Sequence, residues 1–201
     1  MAYNDFALDK VERLLEVALQ TVDLFGQLTP LPMPDWLREV LSRGMQLYLQ
    51  SEKARSEFIV SPILLATREL SHNAVTIFSG QRLDVLPDKG LIGECDFILA
   101  RSLPVPTLHG PLVTIVEAKK NDIELGMGQC IAQMVGARIF NERDGRKPAT
   151  IFGCVTTGEA WQFLSLENSI IGIDRIRYYI NDVGLLLAVW QAVIDRSRCE
   201  N

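Results

Sequence analysis

Three residues in two short stretches have the types and spacing to do chemistry: Asp96 in "GECDFIL", and Glu117 with Lys119 in "LVTIVEAKK". Both stretches are otherwise apolar and read as buried strands, so their charges need an explanation. Side chains alternate between faces along a strand, which predicts Val113, Ile115, Glu117 and Lys119 on one side and Leu112, Thr114, Val116 and Ala118 on the other. Glu94 and Asp96, two apart, share a face in the same way. Burying an ionised carboxylate without a partner is unfavourable by several kcal/mol. Glu117 beside Lys119 is therefore either a satisfied salt bridge closing a strand or the lip of a site for a charged ligand. A hairpin of the two strands would bring Asp96 and Glu117 together for a single Mg²⁺, an ion that takes oxygen ligands at about 2.0–2.1 Å and keeps several waters. Lys119, one pleat further on, would flank them.

The elements that must hold these residues are marked by a change of period along the chain. Val11, Leu14, Leu15, Ala18, Leu19 and Val22 have the three-four spacing of an amphipathic helix over 5–25, which "GQLTPLPMPD" ends with three prolines. A second helix is predicted from Asp35, a plausible N-cap, and "SEKARSEFIVSPILLATREL" predicts a third, with Pro62 as a kink or a new start. After His72 the pattern turns to strands: "VTIFSG" with the segment around Leu83 to Leu86, then "GLIGECDFILA", then "LVTIVEAKK", the last two joined by the loop "RSLPVPTLHGP". "ELGMGQCIAQMVGARIFNER" returns to helical spacing, followed by strands at "TIFGCVTT", "EAWQFLSL" and "SIIGIDRIRYYI" and a closing helix from Asn181.

This order of elements, with an aspartate on the second strand, Glu-x-Lys at the end of the third and a glutamine on the next helix, resembles the PD-(D/E)XK nuclease superfamily. The resemblance spans roughly residues 45 to 180 and rests on element order and short motifs. It implies an α/β fold with a restriction-endonuclease-like core, a central mixed sheet flanked by helices, here with an extra N-terminal helical segment. It also implies Mg²⁺- or Mn²⁺-dependent hydrolysis of phosphodiester bonds in nucleic acid, with DNA the expected substrate. The metal ligands by resemblance are Asp96, Glu117, the backbone carbonyl of Ala118 and an acid from the first core helix, Glu52 or alternatively Glu57. Glu52, ten residues before Pro62, is closer to the family arrangement. Lys119 would orient or deprotonate the attacking water. Gln129 in "MGQCIAQM" is similar to the glutamine of the QxxxY motif, but its fifth position is Gln133, so the role of the tyrosine does not carry over. Cys95, not proline, precedes Asp96. "TTGEAWQFLSL" is similar to the G-x-x-W-x-F strand pair of many relatives. A catalytically silent fold serving as a nucleic-acid or protein binding module is the alternative.

The whole chain sets outer bounds. Its 201 residues, 48% apolar and 22% charged, fit one globular domain over 1–201, with an N-terminal helix and proline-rich connector over 1–34 and the nuclease-like core over 35–201. Asp5, Asp9, Lys10, Glu12, Arg13 and Glu16 interrupt any secretory signal, and "VGLLLAVW" is too short to span a bilayer, so no membrane partner and a cytoplasmic location are expected. Cys95, Cys130, Cys154 and Cys199 are widely spaced and read as reduced thiols, and with only His72 and His109 beside them a zinc site has poor ligands. A net charge of −5 requires any nucleic-acid partner to be held by a local basic patch or a bound cation. The turn containing Arg146 and Lys147 is either solvated or a phosphate contact. The sequence leaves a homodimer open.

Overall fold

A sheet edge forms where helical spacing predicts a helix. The computed structural model describes residues 1–119 and 122–197, and in it the helix expected over 5–25 stops early. Helix α1 covers Leu8–Leu15, Glu16 caps it in a left-handed conformation (φ 56°), and Ala18–Val22 forms strand β1. The apolar residues Ala18, Leu19 and Val22 satisfy either period. The β-branched pair Thr21 and Val22 favours a strand, and β7 (Ile170–Tyr179) presents an edge that β1 pairs in parallel from Ala18↔Ile170 to Val22↔Asp174. Tertiary pairing here overrides a weak local preference.

Helix α2 runs over Asp35–Gly44. The next helical run is continuous but irregular: α3 (Glu52–Arg55), one π turn (Ser56–Val60) and α4 (Ser61–Leu70). The π turn lies just before Pro62, which has no N–H to offer the regular ladder, and Ser61 N–H reaches back to the carbonyl of Ser56. The strands are β2 (Thr76–Arg82), β3 (Glu94–Ala100), β4 (Leu112–Ala118), β5 (Ile151–Thr156), β6 (Ala160–Glu167) and β7; α5 (Ile123–Arg143) connects β4 to β5, and α6 (Val183–Arg196) follows β7. They form one seven-stranded mixed sheet in the order β1-β7-β6-β5-β4-β3-β2, parallel at β1/β7 and β4/β5 and antiparallel elsewhere. The fold is thus α/β with helices on both faces.

One face of the sheet buries Ile98, Ile115, Val155 and Leu164 against α5 and α1. The other packs Phe97, Val116, Trp161 and Phe163 against α2, α4 and α6. Edge-to-face rings stiffen that second layer, with Trp190 of α6 at 6.2 Å from Trp161 and 5.1 Å from Phe163, each such pair contributing ~0.5–1.5 kcal/mol beyond its buried area. Strict alternation fails once on β4. The pairing shifts between Leu99 and Ala100, Ala100 meeting Leu112 while Leu99 meets Thr114, so Val113 is an extra residue that packs with Val116 and not with Ile115. This bulge precedes Glu117 and leaves the pairing at the charged end intact.

Cys95, Cys130 and Cys154 are buried free thiols, while Cys199 lies outside the described residues. Among the described residues no helix is long and apolar enough to cross a membrane.

Candidate functional site

The charged ends of β3 and β4 meet. Their antiparallel register runs through Ile98↔Ile115 to Phe97↔Val116, and Asp96 and Glu117 are the next residues on the two strands. Asp96 Oδ2 accepts a hydrogen bond from the backbone N–H of Ala118 at 2.7 Å, which ties its carboxylate to the peptide between Glu117 and Lys119. Lys119 Nζ donates to Glu117 Oε1 at 2.8 Å and to Gln129 Oε1, on the second turn of α5, at 3.0 Å. Gln133, one turn further along α5, donates from Nε2 to Glu117 Oε2 at 2.9 Å. A chain of polar groups therefore runs from Asp96 through the end of β4 to two glutamines.

The corner from β4 to α5 is held in place by neighbours. Lys119 N–H donates to the carbonyl of Thr156 at 2.7 Å, extending the β4/β5 pairing past the end of β4. Asp122 caps α5 by accepting from Glu124 N–H at 2.9 Å. Glu124 is paired in turn with Arg177 of β7, whose Nε also donates to Gln162 Oε1 at 3.1 Å. Gln129 and Gln133 thus approach the strand ends from a helix fixed at its first turn.

Burial sets the electrostatics. Glu117 is only 2% exposed. Desolvation first, and Asp96 second, push its carboxyl up to about 7, against the opposing pull of Lys119 and Gln133. Asp96 is also raised, by burial and by Glu52 and Glu94, with the Ala118 N–H and Lys119 offsetting part of the effect. Burial alone would lower Lys119, but Glu117, Glu52 and Asp96 outweigh it, and the amine lies above its ordinary value. The amine depressed by desolvation that would suit a general base is not what this site holds: Lys119 is an ammonium.

Asp96 also opens on a cleft of about 450 Å³ lined by Glu52, Ser56, Glu57, Ser79 and Glu94. Glu52 is close enough to act on both Asp96 and Lys119, whereas Glu57 lies 3.9 Å from Lys53 in an exposed pair. That favours Glu52 of the two acids expected from this helix. Among the described residues no group of three or more His, Cys, Asp or Glu side chains forms a ready cage for a metal ion. Asp96 and Glu117, with the Ala118 carbonyl and Glu52 expected beside them, could offer a sparse, all-oxygen donor set. A set of one or two carboxylates completed by water suits Mg²⁺, and the buried negative charge at Glu117 is what a cation would offset.

Gln133 is the residue that the sequence reading leaves without a role, because it stands where the resembling motif has tyrosine. The signal was its spacing: four residues after Gln129 on a helix is the same face, one turn on. Its amide is fully buried, and its Oε1 has no hydrogen-bond partner among the described residues. No family model and no curated protein matches the chain.

Proposed function

We propose that the protein is a metal-dependent nuclease of the restriction-endonuclease-like fold that hydrolyses phosphodiester bonds in nucleic acid, with DNA as its substrate. One observation carries the reading: Asp96 is hydrogen-bonded to the peptide that separates Glu117 from Lys119, so two carboxylates and an ammonium from adjacent strands meet at one level of the sheet. A salt bridge closing a strand accounts for Glu117 and Lys119 alone. It leaves unexplained why a second half-buried carboxylate, itself destabilised by burial, is tied to the same peptide.

Asp96, Glu117 and the Ala118 carbonyl, with Glu52 at the cleft, are the groups that would hold Mg²⁺ or Mn²⁺. When bound, the ion supplies a counter-charge for the non-bridging phosphate oxygens and acidifies water. Lys119 has three N–H donors, of which Glu117 and Gln129 take two. The third is available to a phosphate oxygen or to the attacking water. As an ammonium, Lys119 orients that water and offsets developing negative charge, and it does not accept the proton. The water oxygen forms the new bond to phosphorus and gives up a proton to solvent, the bond to the leaving oxygen breaks, and that oxygen takes a proton from solvent in return. Gln129 keeps the ammonium from collapsing fully onto Glu117.

Plasmid and single-stranded DNA cleavage should require Mg²⁺ or Mn²⁺ and be abolished by Glu117→Ala. Lys119→Met should leave Mn²⁺ affinity unchanged or slightly tighter while slowing cleavage by roughly 10²-fold or more, as expected for a group that acts on the water or phosphate. Activity surviving Glu117→Ala would place the chemistry elsewhere. That no three of the described His, Cys, Asp or Glu side chains form a ready metal cage favours one other reading, a silent binding module. For such a module, calorimetry with Mn²⁺ would give weak binding indifferent to Asp96→Asn.

A further inference from the structure

A concentration of positive charge that the carboxylate site does not use lies at the opposite end of α5. There a cleft of about 530 Å³ opens between the last turns of α5, the turn leading to β5 and the β6–β7 connection. Arg143, at the end of α5, is fourteen residues past Gln129, about 21 Å at ~1.5 Å per residue, so the cleft is separate from the carboxylate site. Its rim carries Arg138, Arg146 and Lys147, and its inner wall includes Ile139 and Leu166. Gly145, in the left-handed region at φ 67°, allows the tight turn that places Arg146, whose backbone N–H donates to the carbonyl of Asn141 at 2.8 Å. Arg138 reaches across the cleft to donate to the carbonyl of Asn168.

Among the described residues none of these three cations is in an ion pair; the pairs that occur are elsewhere. Glu142 is the one carboxylate among the described lining residues. Three cations and one anion give the cleft a local charge of +2 in a chain whose net charge is −5. On a flat surface such cations would be solvated singly. Around a concavity with an aliphatic wall their fields add in a region of reduced dielectric, and arginine forks match tetrahedral oxyanions.

We propose that this cleft binds a phosphomonoester with a compact, partly apolar body, a ligand of mononucleotide size. The phosphate dianion, about −1.5 to −2 at neutral pH, matches the local charge. Arg146 and Lys147 hold the phosphate, and Ile139 and Leu166 face the body. The volume is in the range of small-ligand sites, ~300–1,000 Å³. This site is independent of the nuclease reading.

The test is calorimetric titration of the full chain in EDTA with AMP, adenosine, inorganic phosphate and an unphosphorylated oligothymidine. AMP should bind saturably and more tightly than phosphate, and adenosine should not bind. The double substitution Arg146→Ala with Lys147→Ala, both exposed, should weaken AMP at least tenfold without changing the melting temperature. Glu142→Gln should tighten it, a gain that misfolding cannot mimic. Glu117→Ala should leave it unchanged, which keeps failure here distinct from failure of the metal site. Absence of saturable AMP binding, equal AMP binding by the double variant, or oligothymidine binding more tightly than AMP would each overturn the proposal.

Discussion

Gln133 shows how much of this site depends on a residue that touches no expected substrate. A buried carboxylate must be held by donors, and Glu117 has two, Lys119 on one oxygen and Gln133 on the other. Groups that orient a metal-binding carboxylate typically account for 10–100-fold in metal affinity or activity. Gln133→Leu should therefore weaken Mn²⁺ binding by about that factor in calorimetry. Its effect on folding should be smaller than the ~1.5–3 kcal/mol of a lost charged hydrogen bond, because leucine also removes the buried, unpartnered Oε1. Glu117 itself makes the metal-free protein pH-sensitive. Its folded-state carboxyl titrates at about 7, above the ordinary 4.5, so the folded state holds this proton more tightly than the unfolded chain does. The sign follows: the contribution is fully present below about 4.5 and is lost as pH rises through about 7. At ~1.4 kcal/mol per tenfold change in proton affinity it amounts to roughly 3 kcal/mol. Urea denaturation in EDTA between these pH values should show that decline, and Glu117→Gln should flatten it; a wild-type slope equal to that of the variant would contradict the burial account. The meeting of Asp96, Glu117 and Lys119 was legible because charges at the ends of apolar strands are conspicuous. Gln133 was not, since a polar residue on a helix gives no sign of which way it faces until the helix is packed.

Elements were legible where one period dominated. The strands β3 to β7 and the helix α5 fall where apolar runs and three-four spacing place them, although the bulge moves Val113 to the opposite face of β4 from the one alternation predicts. The N-terminal segment was ambiguous: Ala18, Leu19 and Val22 fit both periods, and the edge of β7, distant in sequence, decided between them. The close approach of that segment to α5 was equally hidden. Gly128 sits in the middle of a helix, where alanine would normally be favoured by up to ~1 kcal/mol. A Cβ there would lie 2.3 Å from the carbonyl oxygen of Phe6 and 2.8 Å from backbone atoms of Ala7 and Leu8. Backbone cannot step aside as the tip of a side chain can, so overpacking at ~1–3 kcal/mol outweighs the propensity gain. Gly128→Ala should lower the melting temperature by several degrees. Hydrogen exchange should locate the change, with residues 3–15 losing protection while β4 and β5 keep theirs. Unchanged protection over 3–15 would mean that the segment is not held against α5.

At the scale of the molecule the sequence implied an α/β chain but not its strand order, since pairing β1 with β7 joins residues about 150 apart and no local pattern encodes it. What the sequence did carry over is its charge. At −5 the protein as a whole repels a polyanion, and the cleft beside Asp96 sharpens the conflict because acidic side chains, Glu57 and Glu94 among them, outnumber the cation Lys53 in its described lining. On the proposed reading, the protein holds nucleic acid poorly until a cation reverses the local sign. The effect should appear in binding as well as in turnover. Fluorescence anisotropy with a labelled oligonucleotide isolates it in a protein carrying Lys119→Met, to slow cutting, together with Arg146→Ala and Lys147→Ala, so that only the carboxylate cleft responds. Replacing two repelling charges by a neutralised pair at close range is worth a few kcal/mol at a partly buried site, where the effective dielectric is near ~20 rather than that of water. Affinity should therefore rise at least tenfold from EDTA to Mn²⁺, and the rise should vanish when Glu117→Ala is added. If the oligonucleotide binds equally well in EDTA, the acidic cleft does not face the substrate, and Asp96, Glu117 and Lys119 would be better understood as a buried ion pair with a hydrogen-bonded neighbour.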